Sequence, residues 1–163
     1  RYLTSVVNRG VYNKDTDLVF AEKAVELYPS NEEFPIILSI IQSGIENIVE
    51  ANKLSSKAED YYREKDYANA LNYYIKAEQL IPEEPAYKEN IGTTYLQMQD
   101  FDNALKYYNI VSDSLNDKSG KIEYLKGYLF FKQKKLQLAC EQFLISRNFK
   151  NPIGGNLYLS YCK

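Results

Sequence analysis

The sequence predicts an all-α fold built from repeated helix pairs, and three observations carry that expectation. The stretch ALNYYIKA, Ala70 to Ala77, returns 34 residues later as ALKYYNIV, Ala104 to Val111. Small residues recur at two fixed places in that period, and large ones at three. Within each period the apolar residues fall three and four apart, as in Leu54-Ala58-Tyr61 and Ala70-Tyr74-Ala77, which is the spacing of one helix face.

A register started at Ala51 makes the pattern explicit. Its residues 8, 11, 17, 20 and 24 are Ala58, Tyr61, Tyr67, Ala70 and Tyr74, followed by Ala77 at 27 and Pro82 at 32. One period on, the same slots hold Gly92, Tyr95, Phe101, Ala104, Tyr108, Val111 and Asn116. A further 35 residues on they hold Gly127, Phe130, Leu136, Ala139, Phe143, Ser146 and Asn151, with Pro152 one place late. Two antiparallel helices approach closely only where one side chain is small, so alanine or glycine at slots 8 and 20 lets aromatic neighbours lock in. Asp66 and Asp100 precede the second helices and suit the N-cap role, accepting bonds from free backbone N–H groups. Pro82 ends the first unit, because proline cannot continue a helix interior.

These residues resemble the tetratricopeptide repeat family over roughly Ala51 to Ile153. The resemblance implies antiparallel helix pairs stacked into a right-handed superhelical solenoid with a concave groove, in one continuous domain. Three clear repeats fall at 51–84, 85–118 and 119–153. Lys65, Gln99 and Lys134 occupy the turn slot where the family often has glycine. Those helix ends are therefore expected to lose a left-handed cap, at a cost of about 1 kcal/mol or less. The third repeat is the weakest, with Lys135 at its N-cap and Ser146 at a slot usually alanine. Residues 1–50 form N-terminal helices: VFAEKAVELYPSN resembles the second half of a degenerate repeat, and Glu32 to Gln42 an apolar helix bent near Ser43-Gly44. Residues 154–163 start a helix too short for another pair, which caps the array.

Composition removes most chemistry. A net charge of −2 gives no electrostatic reason to expect nucleic acid or an acidic membrane as partner, and Lys132, Lys134 and Lys135 read as a solvated turn. Histidine is absent, which excludes Ser-His-Asp and Cys-His catalysis and His-containing metal sites. Phosphate-cradling glycine motifs and paired CxxC signatures are missing too. Paired carboxylates such as Glu32-Glu33 and Glu83-Glu84 sit at helix starts, where they complement the helix dipole. No enzyme, cofactor or metal site is expected. The apolar run Phe34 to Ile45 is too short to span a bilayer, so no direct membrane insertion is expected either. The chain opens at Arg1 without a methionine and reads as a piece of a longer protein or a mature form. Its close resembles a common C-terminal pattern of bacterial tetratricopeptide proteins, so the natural C-terminus is expected to be present, and the compartment is left open between a bacterial cytoplasm and the periplasm or envelope.

In the family, first-helix slots 2, 5, 6, 9, 12 and 13 face the groove. The resemblance therefore names Tyr62 in the first repeat, Asn90, Thr93 and Leu96 in the second, and Lys121, Tyr124, Tyr128 and Phe131 in the third. The aromatics of the third repeat are the best anchors, unless the tail helix covers them. A subset of the family clamps the C-terminal carboxylate of heat-shock chaperones. Here Asn90 and Lys121 fit that clamp, whereas Ser55, Glu59 and Leu125 do not, and Glu59 would repel a carboxylate. Cys140 and Cys162 are either a disulfide that fastens the tail, implying an oxidising compartment, or two free buried thiols. The expected function is non-enzymatic: a scaffold binding a partner protein, peptide or helix in its groove. A chaperone for secreted proteins and a subunit of a bacterial envelope assembly are the alternatives.

Overall fold

A computed structural model describes residues 14–114 and 119–162. Among them are nine α-helices and no strand. They are α1 (Lys14–Leu27), α2 (Glu33–Ser43), α3 (Ile45–Arg63), α4 (Tyr67–Leu80), α5 (Pro85–Gln97), α6 (Phe101–Ser114), α7 (Lys121–Lys132), α8 (Leu136–Asn148) and α9 (Pro152–Tyr161). The chain falls into two compact units, Arg1–Tyr87 and Lys88–Lys163. Asn116, at the close of the second period, lies outside the described residues.

In the first unit α1 packs on α2 around Ala21, Ile37 and Ile41. Gly44, at φ 88°, separates α2 from α3 at the bend expected near Ser43-Gly44. The long α3 then pairs with α4. Ala51, Ala58, Ala70 and Ala77 are fully buried along this pairing, with Tyr74 beside them. Tyr74 therefore lies at the close approach of two helices, where its ring replaces water along the alanine seam.

The second unit repeats the device with glycine. A Cβ at Gly92 would lie 2.9 Å from the Tyr108 ring, and one at Gly127 would lie 2.5 Å from the Phe143 ring. Both rings are fully buried. Only a residue lacking Cβ lets these helices meet with an aromatic between them. Leu96, Ala104, Tyr108, Val111, Ile122, Leu125 and Leu129 form the buried cluster around that seam.

Helix ends explain how each pair turns. The Asp66 carboxylate accepts from the Asn69 backbone N–H at 3.2 Å and from its side-chain amide at 2.6 Å. Asp100 does the same for Asn103, at 3.2 Å and 2.7 Å. Lys135 supplies no side-chain cap to α8. The expectation for the turn slots is corrected. Lys65, Gln99 and Lys134 are left-handed at φ 64°, 62° and 62°, as glycine would be. Their N–H groups reach Tyr62, Leu96 and Phe131 carbonyls, and the next residues reach Tyr61, Tyr95 and Phe130, so each cap is complete. Lys150 closes α8 identically at φ 63°. Two backbone bonds per cap outweigh the Cβ strain, so the cost appears as strain and not as a lost cap.

Ser146 also has a structural reason. Its hydroxyl donates to the Gly120 carbonyl at 2.7 Å in a fully buried position, which alanine could not do. Gly120 itself is left-handed at φ 69°, and a Cβ there would meet the Ser146 carbonyl at 2.7 Å. Asn151 caps α9, accepting from the Ile153 and Gly154 N–H groups, each at 3.1 Å. That start lies two residues earlier than the sequence placed it, with Pro152 in the first turn.

Replacing Gln99 by glycine should relieve one strained turn and stabilise the protein by about 1 kcal/mol. Thermal unfolding should then shift up by about 2–4 °C; an unchanged or lowered midpoint would show that the turn carries no strain. Burial pushes the Tyr74 phenol up to about 12, with the Glu59 carboxylate adding to it. A raised phenol pKa leaves stability intact below the ordinary tyrosine value near 10 and removes it as pH climbs from there through 12. Alkaline titration followed by circular dichroism should show that loss, and Tyr74→Phe should flatten it.

Candidate functional site

The groove slots lie on α5 and α7 in the second unit, and on α3 in the first. On α7, successive helical turns bring Tyr124 and Tyr128 together, with ring centroids 6.4 Å apart. Both are half-buried and rest on the cluster around Leu96 and Leu125. Burial, then the neighbouring Tyr128 phenol, raises the Tyr124 pKa, so the Tyr124 ring stays neutral at ordinary pH. The Lys132 ammonium sits 5.3 Å from the Tyr128 centroid, a cation–π contact. Tyr128 and Lys132 line a cleft of about 240 Å³ with Leu96, Gln97, Gln99 and Phe101. The arrangement offers apolar area, two amide side chains and one cation, which suits recognition and contains no nucleophile–base pair.

Other groove residues are engaged within the protein. Lys121 is ion-paired to Glu89 at 2.6 Å, tying α7 to α5. Thr93 accepts from the buried Tyr108 hydroxyl at 3.3 Å. Asn90 is half-buried, and its carbonyl accepts from the Thr94 hydroxyl at 2.7 Å. Leu96 is 5% exposed, so it is core that floors the cleft and not a free groove side chain. Phe131 packs on Tyr161 of α9, centroids 4.9 Å apart, so the tail covers this aromatic, while the ring that Tyr124 and Tyr128 each meet is the other's. In the first unit Tyr62 stands edge-on to Tyr67 at 5.4 Å, and Asn52 accepts from the Tyr87 hydroxyl at 3.4 Å. Lys132 stands at groove slot 13 of the third repeat and lines the cleft as that slot implies, whereas Gln99 reaches the cleft from a turn that the groove slots leave out.

Cys140 and Cys162 are joined by a disulfide, with Cα atoms 5.5 Å apart. It links α8 to the residue that closes α9, next to the Tyr161 ring on Phe131. The glycine at 154 lets α9 lie directly on Ser146. Among the described residues no cluster of His, Cys, Asp and Glu could hold a metal ion, and no helix is long and apolar enough to cross a membrane.

The fold defines a class: consecutive helix pairs whose packing is consistent with a tetratricopeptide-like arrangement. No family model matches the chain. It is similar to serine/threonine-protein phosphatase 5 of Homo sapiens, 32% identical over 78 residues, which covers 48% of this chain and 14% of that protein. It is also similar to the anaphase-promoting complex subunit CDC16 of Saccharomyces cerevisiae, 30% identical over 88 residues, covering 50% of this chain and 10% of that protein. The matched part is thus a small fraction of each relative.

The disulfide closes a loop of sequence separation 22, which constrains the unfolded chain by about 3 kcal/mol. Reduction should lower the unfolding midpoint accordingly. If reduced and oxidised protein melted together, α9 would be held by its other contacts alone.

Proposed function

We propose that this chain is a non-enzymatic interaction module that binds a partner peptide or helix through the aromatic face of α7 and its cleft. The observation that carries this reading is the Tyr124–Tyr128 pair, half-exposed beside the Lys132 ammonium and the 240 Å³ cleft. Rigid aromatic rings give large contact area at small entropic cost, and Gln97, Gln99 and Lys132 supply polar register. The covered Phe131 contributes support, not contact. A carboxylate clamp fits poorly. Lys121 is neutralised by Glu89, Leu125 is buried, and Glu59 is paired with Arg63 at 3.7 Å while keeping its negative charge in the groove slot.

The disulfide favours a second, narrower reading: work in an oxidising compartment, as a bacterial envelope subunit or a chaperone for exported proteins. A thiol assay on protein unfolded without reductant should find no free cysteine; two reactive thiols would remove this reading while leaving the first intact.

Peptides selected from a random library against the folded protein should bind wild type. They should lose about tenfold or more in affinity to Tyr128→Ala and to Lys132→Glu. Circular dichroism should show helicity retained. Peptides that bound both variants as well as wild type would overturn the α7 face as the binding site.

A further inference from the structure

A second surface lies on the α3–α4 pair of the first unit, away from the groove slots. Tyr61 of α3 and Tyr73 of α4 stack face to face, centroids 5.4 Å apart at an interplanar angle of 14°. Two lysines converge on the same ring from the two helices. The Lys57 ammonium is 4.7 Å from the Tyr73 centroid, and the Lys76 ammonium is 5.1 Å from it. Neither ammonium is ion-paired among the described residues, although Lys23, Lys53, Arg63 and Lys121 all are. A hydrogen bond from Lys57 to the phenol holds the Tyr73 pKa below its ordinary value.

The next repeat shows what this place looks like when it is not used so. Thirty-four residues on, Tyr95 and Tyr107 pair again at 5.9 Å, but the flanking positions are Ile91 and Ile110. Ile91 is fully buried. The tyrosine pair is thus shared by the first two repeats, while both lysines together flank it only in the first; the third repeat has Phe130 and Gln142 at the pair's places, with Lys126 and Ile145 beside them. Both are exposed, and two like charges gathered over one ring repel each other. An anion placed between them removes that repulsion and gains two charge-assisted hydrogen bonds, while the stacked rings offer an apolar platform beside it.

We propose that the Lys57, Lys76, Tyr61 and Tyr73 face docks an acidic segment of a partner protein, with a carboxylate held between the two ammonium groups and an apolar side chain against the tyrosine pair. The occupant follows from charge complementarity, because among the described residues no carboxylate pairs with either ammonium: the nearby Asp60 is taken by Arg63 at 3.1 Å. The site uses residues other than those of the α7 face, so the two can be tested independently.

The test uses the whole chain and a synthetic peptide of alternating glutamate and phenylalanine, titrated at low ionic strength and followed by tyrosine fluorescence. Binding should weaken tenfold or more in the double variant Lys57→Gln/Lys76→Gln, and should fall as salt is raised. Both lysines are exposed, so the variant should keep wild-type helicity, and Tyr124→Ala should bind the peptide normally. Equal affinity for wild type and the double variant would overturn the proposal. Loss of binding in Tyr124→Ala but not in the lysine variant would overturn it too, by assigning the peptide to α7. Tighter binding of an oligothymidine of equal charge would replace the acidic protein segment with a nucleic acid.

Discussion

The approach of paired helices through a missing side chain is the constraint on which the rest depends. At Gly92 and Gly127 an aromatic ring occupies the space a Cβ would need, and Ala58 and Ala70 do the corresponding work in the first unit. Once a ring is wedged there, helix separation and rotation are fixed together. That rotation decides which side chains of α7 face outward, and hence that Tyr124 and Tyr128, neighbours by their four-residue spacing, are left partly exposed. The α7 tyrosine face is a by-product of the seam.

Much of this was legible in the residues. The seam is local in sequence and repeats, so small and large residues announce it three times over. Asp66 and Asp100 as caps, and the bend at Gly44, follow from short-range chemistry in the same way. What could not be read was decided by tertiary context. Lys65, Gln99 and Lys134 take a backbone conformation their side chains disfavour, because two hydrogen bonds in the turn outweigh the strain. Lys121 looks free in sequence, yet its charge belongs to Glu89 on another helix. Leu96 sits at a groove slot and is nonetheless core. Whether Phe131 was open or covered turned on where a ten-residue helix ends.

The two tyrosine surfaces separate what the first two repeats share from what one of them adds. Tyr61–Tyr73 and Tyr95–Tyr107 are the same structural pair, and differ in whether isoleucine or lysine flanks them. A repeat architecture permits such variation because each helix pair supports its own seam. Surface chemistry can then change in one copy without disturbing the packing of the others.

Asn151 illustrates a different kind of economy. Its carbonyl oxygen accepts from two N–H groups of α9, and its amide donates to the Ser119 carbonyl at 3.1 Å ahead of α7. Aspartate could keep the first role but not the second. Asparagines slowly hydrolyse to aspartate when the following backbone nitrogen attacks the side-chain carbonyl, and that attack requires an N–H. The following residue is Pro152, whose nitrogen has none. The junction is thus protected from this route of chemical ageing at a side chain that joins the start of α7 to the start of α9.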